Sequence, residues 1–264
     1  MKIYVGTDIE GVAGVVSFHA QSYSDGKYYE AAKKLLTAEV NAAVEGMLAY
    51  GVDDILVADG HGSGGIVFED LHPAAKLLHG RPSGPREARD RIVETYDACI
   101  MIGQHAMAGV ADGNLNHTQS SQQIDSYTLN GKPIGEIAQF ALYQGALGLP
   151  LIFLSGDEAA CREAEDLIPG ITTAAVKQSL SRQSAISLAA PVAHQRIRDG
   201  IKQALRRQQD TPLPPLVWEG PFVLEKRFFH TDTADAAATH PAAERVDSQT
   251  VRYRAATARE IAYI

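Results

Sequence analysis

The chain has 264 residues, 45% of them hydrophobic and 21% charged, proportions that exclude a disordered or collagen-like polypeptide. Its 24 Lys and Arg stand against 32 Asp and Glu, and the resulting net charge of −8 argues against nucleic acid or a membrane surface as partner. No apolar run approaches the ~20 residues of a membrane span, and the length allows one or two domains whose core needs no disulfide.

The first apolar run, Lys2–Thr7, reads as a strand ending in Asp8-Ile9-Glu10-Gly11. It is too short and too acidic for a signal peptide. Cys99 and Cys161 are far apart and form no CxxC pattern, so the expected setting is a reduced cytoplasm. Residues 25–50 place Leu35, Leu36, Val40, Ala43, Val44 and Met47 at the helical period, with Gly51 as a stop. A second strand is expected over residues 55–58, followed by DGHGSGG, and a third over 98–102, followed by Gly103-Gln104-His105. Residues 122–129 read as a strand entering a tight Asn130-Gly131 turn. Then come a helix over 134–145, a strand over 149–154, a helix over 157–167 and a strand over 172–176.

A helix over 192–208 carries the one basic cluster, read as a solvated face. The Pro-rich stretch 211–215 reads as a linker. Weaker strands are expected over 216–229 and 246–253, and a helical tail from Thr257. Strands alternating with helices argue an α/β fold, a mostly parallel sheet flanked by helices. The main domain is expected over residues 1–210, with a smaller C-terminal β/α lobe over 211–264.

The chemistry gathers at the strand ends. In extended backbone Asp8 and Glu10 point to one face, and two such carboxylates repel unless a cation or a shared proton lies between them. An Asp-x-Glu pair alone is as a rule a solvated loop. His61 and His105, however, follow the next two strands, and strand carboxyl ends are where parallel α/β sheets bind ligands. Residues 92–131 contain no Lys or Arg, which fits buried strands or a region facing a cation. Glu136 opens a helix, where the macrodipole alone would favour it; as a fifth ligand it completes a mixed oxygen and imidazole set. Five such donors exceed one tetrahedral zinc and suit two metals sharing a carboxylate. Without thiolate the set suits Zn²⁺, with Mn²⁺ or Co²⁺ as alternatives. His117 reads either as a further ligand or as a free imidazole near the metals that moves protons or holds a polarised oxygen.

These residues carry a resemblance. The stretches TDIEG (7–11), DGHGS (59–63), GQHAMAG (103–109), NHT (116–118), NGKPIGE (130–136), SGDE (155–158) and IPGITTAAVKQSLSR (168–182) are similar, in order and spacing, to the bacterial zinc D-aminopeptidases of dipeptide-transport operons. The resemblance covers residues 1–182 well and the remainder weakly. It implies two zinc ions on Asp8, Glu10, His61, His105 and Glu136, with Asp8 as the bridge and His117 as the catalytic histidine. It also implies a ring-like homo-oligomer and, as substrate, a short peptide or amino-acid amide that loses an N-terminal residue such as D-Ala. Gln104 stands where the family commonly has tyrosine, and Asn116 and Thr118 where it often has serine. The other readings are a dimetal amidase or esterase on a non-peptide substrate, or a non-catalytic oligomer held by metal. Lys177, Gln178, Ser179 and Arg182 match the family without evident chemistry, and a structural role is expected for them. Asp157 and Glu158 are expected to cap a helix or to recognise a substrate ammonium group.

Overall fold

The apolar runs become the strands of two sheets in the computed structural model, which describes residues 1–264. In chain order the elements begin with β1 (Lys2–Thr7), α1 (Tyr29–Tyr50), β2 (Asp54–Asp59), β3 (Ala75–Leu78), α2 (Arg86–Val93) and β4 (Ala98–Gln104). Next come β5 (Ile124–Leu129), β6 (Lys132–Pro133), α3 (Glu136–Ala146), β7 (Leu151–Asp157), α4 (Glu158–Leu167), β8 (Thr172–Ser181) and β9 (Ser184–Ser187). The chain closes with α5 (Ala190–Asp210), β10 (Phe222–Phe228), α6 (Thr231–Ala237), β11 (Ala243–Arg245), β12 (Thr250–Ala255) and α7 (Ala258–Ile261). No helix is long and apolar enough to cross a membrane.

The larger sheet has the order β3-β2-β1-β4-β7-β8-β9. All its pairings are parallel except β8 with β9. Both faces are covered, as parallel sheets require. Ile3, Val5, Ile55, Val57, Ile100 and Ile102 point to one face, where Leu36, Val40, Val44 and Met47 of α1 and Ile197 and Ile201 of α5 pack on them. The alternate residues Tyr4, Leu56, Cys99 and Met101 point to the other face, against α3 and α4. Each large aliphatic side chain so buried contributes ~1.5–3 kcal/mol.

The smaller sheet has the order β11-β12-β10-β5-β6 and is antiparallel. Three of its strands come from residues after 211, and β5 and β6 join them from the middle of the chain. Its core includes Phe222, Leu224, Val251 and Tyr253 with Ile134, Ala138 and Leu142 beside them. The helix expected from residue 25 begins at Tyr29, because residues 18–22 form a separate turn whose N–H at Ala20 is taken by the Ser17 hydroxyl. β8 continues past the expected residue 176 because β9 pairs with its outer half in a hairpin.

Candidate metal centre

β1, β2 and β4 lie side by side, so their carboxyl ends bring three segments to one edge of the sheet. Asp8 follows β1 directly, and its N–H donates to the Ile102 carbonyl at 2.9 Å. Here the segment after β1 passes the end of β4 at a distance only glycine permits: a Cβ on Gly11 would lie 2.0 Å from the Gln104 carbonyl oxygen. Gly103, at φ +79, faces the Asp8 carbonyl in the same way, with a Cβ placed 2.1 Å from it. The backbone is already turning after Thr7 rather than extended, yet both carboxylates reach one point. Asp8 Oδ1 and Glu10 Oε2 lie 3.2 and 3.4 Å from His61 Nδ1.

His61 stands two residues beyond β2 in a loop shaped by Asp59, whose carboxylate accepts the Gly65 N–H at 2.8 Å. Asp59 is therefore occupied in folding the loop. His105 follows β4 directly, and its Nε2 lies 3.2 Å from Asp8 Oδ2 and 3.5 Å from Glu136 Oε1. Glu136, the first residue of α3, accepts the Gln119 N–H at 2.7 Å. His117 Nε2 is 3.7 Å from Glu136 Oε1. The structure thus brings together Asp8, Glu10, His61, His105, His117 and Glu136. Asp8, Glu10, His105 and His117 are all buried.

The three imidazoles share one arrangement. A carbonyl oxygen can only accept, so a ring nitrogen on a carbonyl carries the hydrogen. His61 Nε2 is 2.9 Å from Ser22 O, His105 Nδ1 2.9 Å from Ala106 O, and His117 Nδ1 2.9 Å from Leu115 O. The other nitrogen of each faces the carboxylates. Such outer contacts fix the tautomer of metal-binding histidines. Glu10 is held from outside as well, by the Ser22 hydroxyl at 2.5 Å.

Charge at this edge is costly without a cation. Burial raises the Asp8 pKa, and the Glu10 charge raises it further. Burial would raise that of Glu10 too, but the His61 charge overcomes this and holds it well below the usual carboxylate range. Burial disfavours the His61 cation, yet Glu10 and Asp8 push its pKa up to about 12. Asp8 and Glu136 raise that of His105 in the same way, again against burial. For His117, burial and the His105 charge together lower the pKa.

Two tests of fit favour metal. Glu10 Oε2 and His105 Nε2 are buried and have no hydrogen-bond partner, and both face the cluster. The donors are carboxylate oxygen and imidazole without thiolate, as Zn²⁺ accepts. Donor atoms of Asp8, Glu10 and His105 lie within 4.8 Å of one another, as do those of His105, His117 and Glu136. Divalent ions would replace the imidazole protons, and binding would release them.

Residues without evident chemistry prove to support the site. The Lys177 ammonium, fully enclosed, donates to Glu10 O at 2.5 Å, Val15 O at 2.7 Å and Asn114 Oδ1 at 2.9 Å. It ties the segment after β1 to the loop that carries His117. Arg182 donates from Nε to Asn116 O at 3.3 Å, and its carbonyl accepts the Leu115 N–H at 2.7 Å. Asp157 does not cap α4 with its side chain: it is fully buried, accepting from Ser179 Oγ and the Asn114 N–H. Ser22 and Gln119, which hold Glu10, His61 and Glu136, carry no sequence signal that would have found them.

A family model described as Peptidase M55, D-aminopeptidase, matches residues 1–264. A curated relative, the D-aminopeptidase of Bacillus subtilis (strain 168), is 30% identical over 261 residues, covering 97% of this chain and 92% of its own length. A solved structure is similar at TM-score 0.89 and 28% identity, over 99% of this chain and 94% of its own. It is described as the Zn-dependent D-aminopeptidase DppA from Bacillus subtilis, a self-compartmentalizing protease.

Proposed function

The chain belongs to the M55 family of D-aminopeptidases, and from that premise we propose that it is a zinc-dependent D-aminopeptidase with two metal ions bridged by Asp8. The observation that carries the reading is the division of one carboxylate between two histidines. Asp8 Oδ1 faces His61 Nδ1 and Asp8 Oδ2 faces His105 Nε2, each at 3.2 Å. Asp8, Glu10 and His61 would hold one ion; Asp8, His105 and Glu136 would hold the other. Two zinc ions there supply Lewis acidity toward a scissile carbonyl and acidify a water.

The chain's own groups do the rest. Ser22 and Gln119 fix the two outer carboxylates. Leu115 O fixes the His117 tautomer, so Nε2 faces the open side of the cluster. The His105 and His117 rings stack at 3.9 Å with planes only 16° apart. Ring lone pairs lie in the ring planes, and near-parallel planes do not converge on one ion. This supports His117 as a substrate-side group rather than a second imidazole on the ion of His105. Because Nδ1 donates to Leu115 O, the Nε2 lone pair of His117 is free to take a proton and return it to the leaving amine. The substrate is a short peptide or amide with an N-terminal D-residue such as D-Ala, and the protein acts as a homo-oligomer, as the self-compartmentalizing relative suggests.

The test is hydrolysis of paired D- and L-alanyl amides by the zinc-loaded protein. Turnover of the D-form alone is expected; turnover of neither, with zinc present, overturns the reading. Sedimentation at micromolar concentration is expected to give a species larger than a dimer.

A further inference from the structure

The cleft that opens on the metal centre has a second end that ligation does not use. The whole cleft encloses about 1060 Å³, the upper range for small-ligand sites. Asp8, Glu10 and Glu136 give the first end its carboxylates. Arg86 and Arg89 of α2 line the second end, and neither pairs with a protein carboxylate. Arg86 donates to Arg259 O at 2.9 Å, and Arg89 donates from Nε to Gly84 O at 3.1 Å. The adjacent acid, Asp90, is already engaged by Arg259 at 2.5 Å and by the Tyr143 hydroxyl at 2.8 Å.

Two amides also line this cleft. Gln104 and Gln144 are only 3% and 5% exposed, and the Oε1 of each has no hydrogen-bond partner. A buried amide left unsatisfied is costly, and such groups in folded proteins call for a partner. Two unpartnered amides and two guanidinium groups free of protein carboxylates therefore line the same cleft as the metal centre. They match the groups a peptide offers beyond its first residue: backbone amides, then a carboxylate.

We propose that this end of the cleft is the subsite for the leaving portion of the peptide, with Gln104 and Gln144 binding its backbone and Arg89, assisted by Arg86, taking its terminal carboxylate. The proposal rests on the aminopeptidase reading above. It also sets a length. The Tyr143 hydroxyl donates to Asp90, the residue after Arg89, at 2.8 Å, and Tyr143 lies seven residues along α3 from Glu136, ~10 Å at ~1.5 Å per residue. An extended peptide of about three residues spans that distance.

The experiment compares tri-D-alanine with its C-terminal amide on the zinc-loaded protein, wild type and Arg89→Met. The readout is the ratio of kcat/KM, free acid over amide. A lost charge-assisted hydrogen bond corresponds to roughly ten- to hundredfold. The wild-type ratio is expected to exceed about ten and to fall toward one in the variant, with Arg89→Lys recovering part of it. A wild type without preference overturns the proposal. So does an unchanged ratio in Arg89→Met, including the case where both substrates lose rate equally. If the wild type hydrolyses no D-peptide, the aminopeptidase reading fails separately. Calorimetric binding of tri-D-alanine against its amide then decides the subsite: tighter binding of the acid that depends on Arg89 supports it, and equal binding overturns it.

Discussion

The carboxyl edge of the seven-stranded sheet and the five-stranded sheet spend their charged residues in opposite ways. At the edge, three carboxylates and three histidines meet within a few ångströms, most of them out of water. In the smaller sheet most charges pair near the surface: Arg252 meets Glu225 and Glu244, and Arg227 meets Asp125; the half-buried Lys226 lies over the Tyr127 and Tyr253 rings, and the rest of the interior is apolar. Exposed pairs of that kind add little to stability. Buried like charges instead demand a counter-charge. The edge is thus built at the expense of local stability for something the fold alone does not supply, and the smaller sheet is built for packing.

The contrast can be broken from either side. The largest effect is expected from chelation, which should abolish turnover and lower the thermal midpoint, both restored by zinc. An ion held only by the folded chain contributes about 2.7 kcal/mol at a hundredfold excess over its Kd; calorimetry with and without chelator measures this. Next, His117→Ala should keep its zinc and lose ~10²–10⁴ in kcat, read from metal content and turnover on one preparation. Loss of zinc would instead make His117 a ligand. A smaller effect is expected for Lys177→Met. Three buried oxygens lose their donor, at about 1–3 kcal/mol for a group left unsatisfied, measured by urea unfolding. Turnover should fall with it, because Glu10 and the His117 loop share that anchor. The smallest is Arg252→Ala in the five-stranded sheet, which should leave metal content and turnover at the wild-type level. A loss of zinc there would show that the two regions are not separate.

The edge was the legible part of the sequence. Asp8, Glu10, His61 and His105 stand at or just beyond strand ends, and parallel strands of a single sheet put such ends together whatever the loops do. Glu136 was readable because it opens a helix after a recognisable turn. The rest depends on contacts distant in sequence. β3 and α2 lie between residues 75 and 93, where short, weakly apolar segments give no period. β5 pairs with β10 across about 100 residues, with β6 beyond it on β5, and nothing local in residues 124–129 specifies that partner. Lys177 looked idle in sequence because its three acceptors lie on two other segments. Asp157 shows the reverse: its strand-end position suggested capping or substrate recognition, and tertiary hydrogen bonds claimed it instead.

The most direct test of the central claim, a two-metal site bridged by Asp8, is zinc stoichiometry. It is measured per chain on wild type and on Asp8→Ala after dialysis against metal-free buffer. The wild type should hold two zinc ions and the variant neither, since one carboxylate serves both. A single ion in the wild type, or two retained in Asp8→Ala, would contradict the bridge.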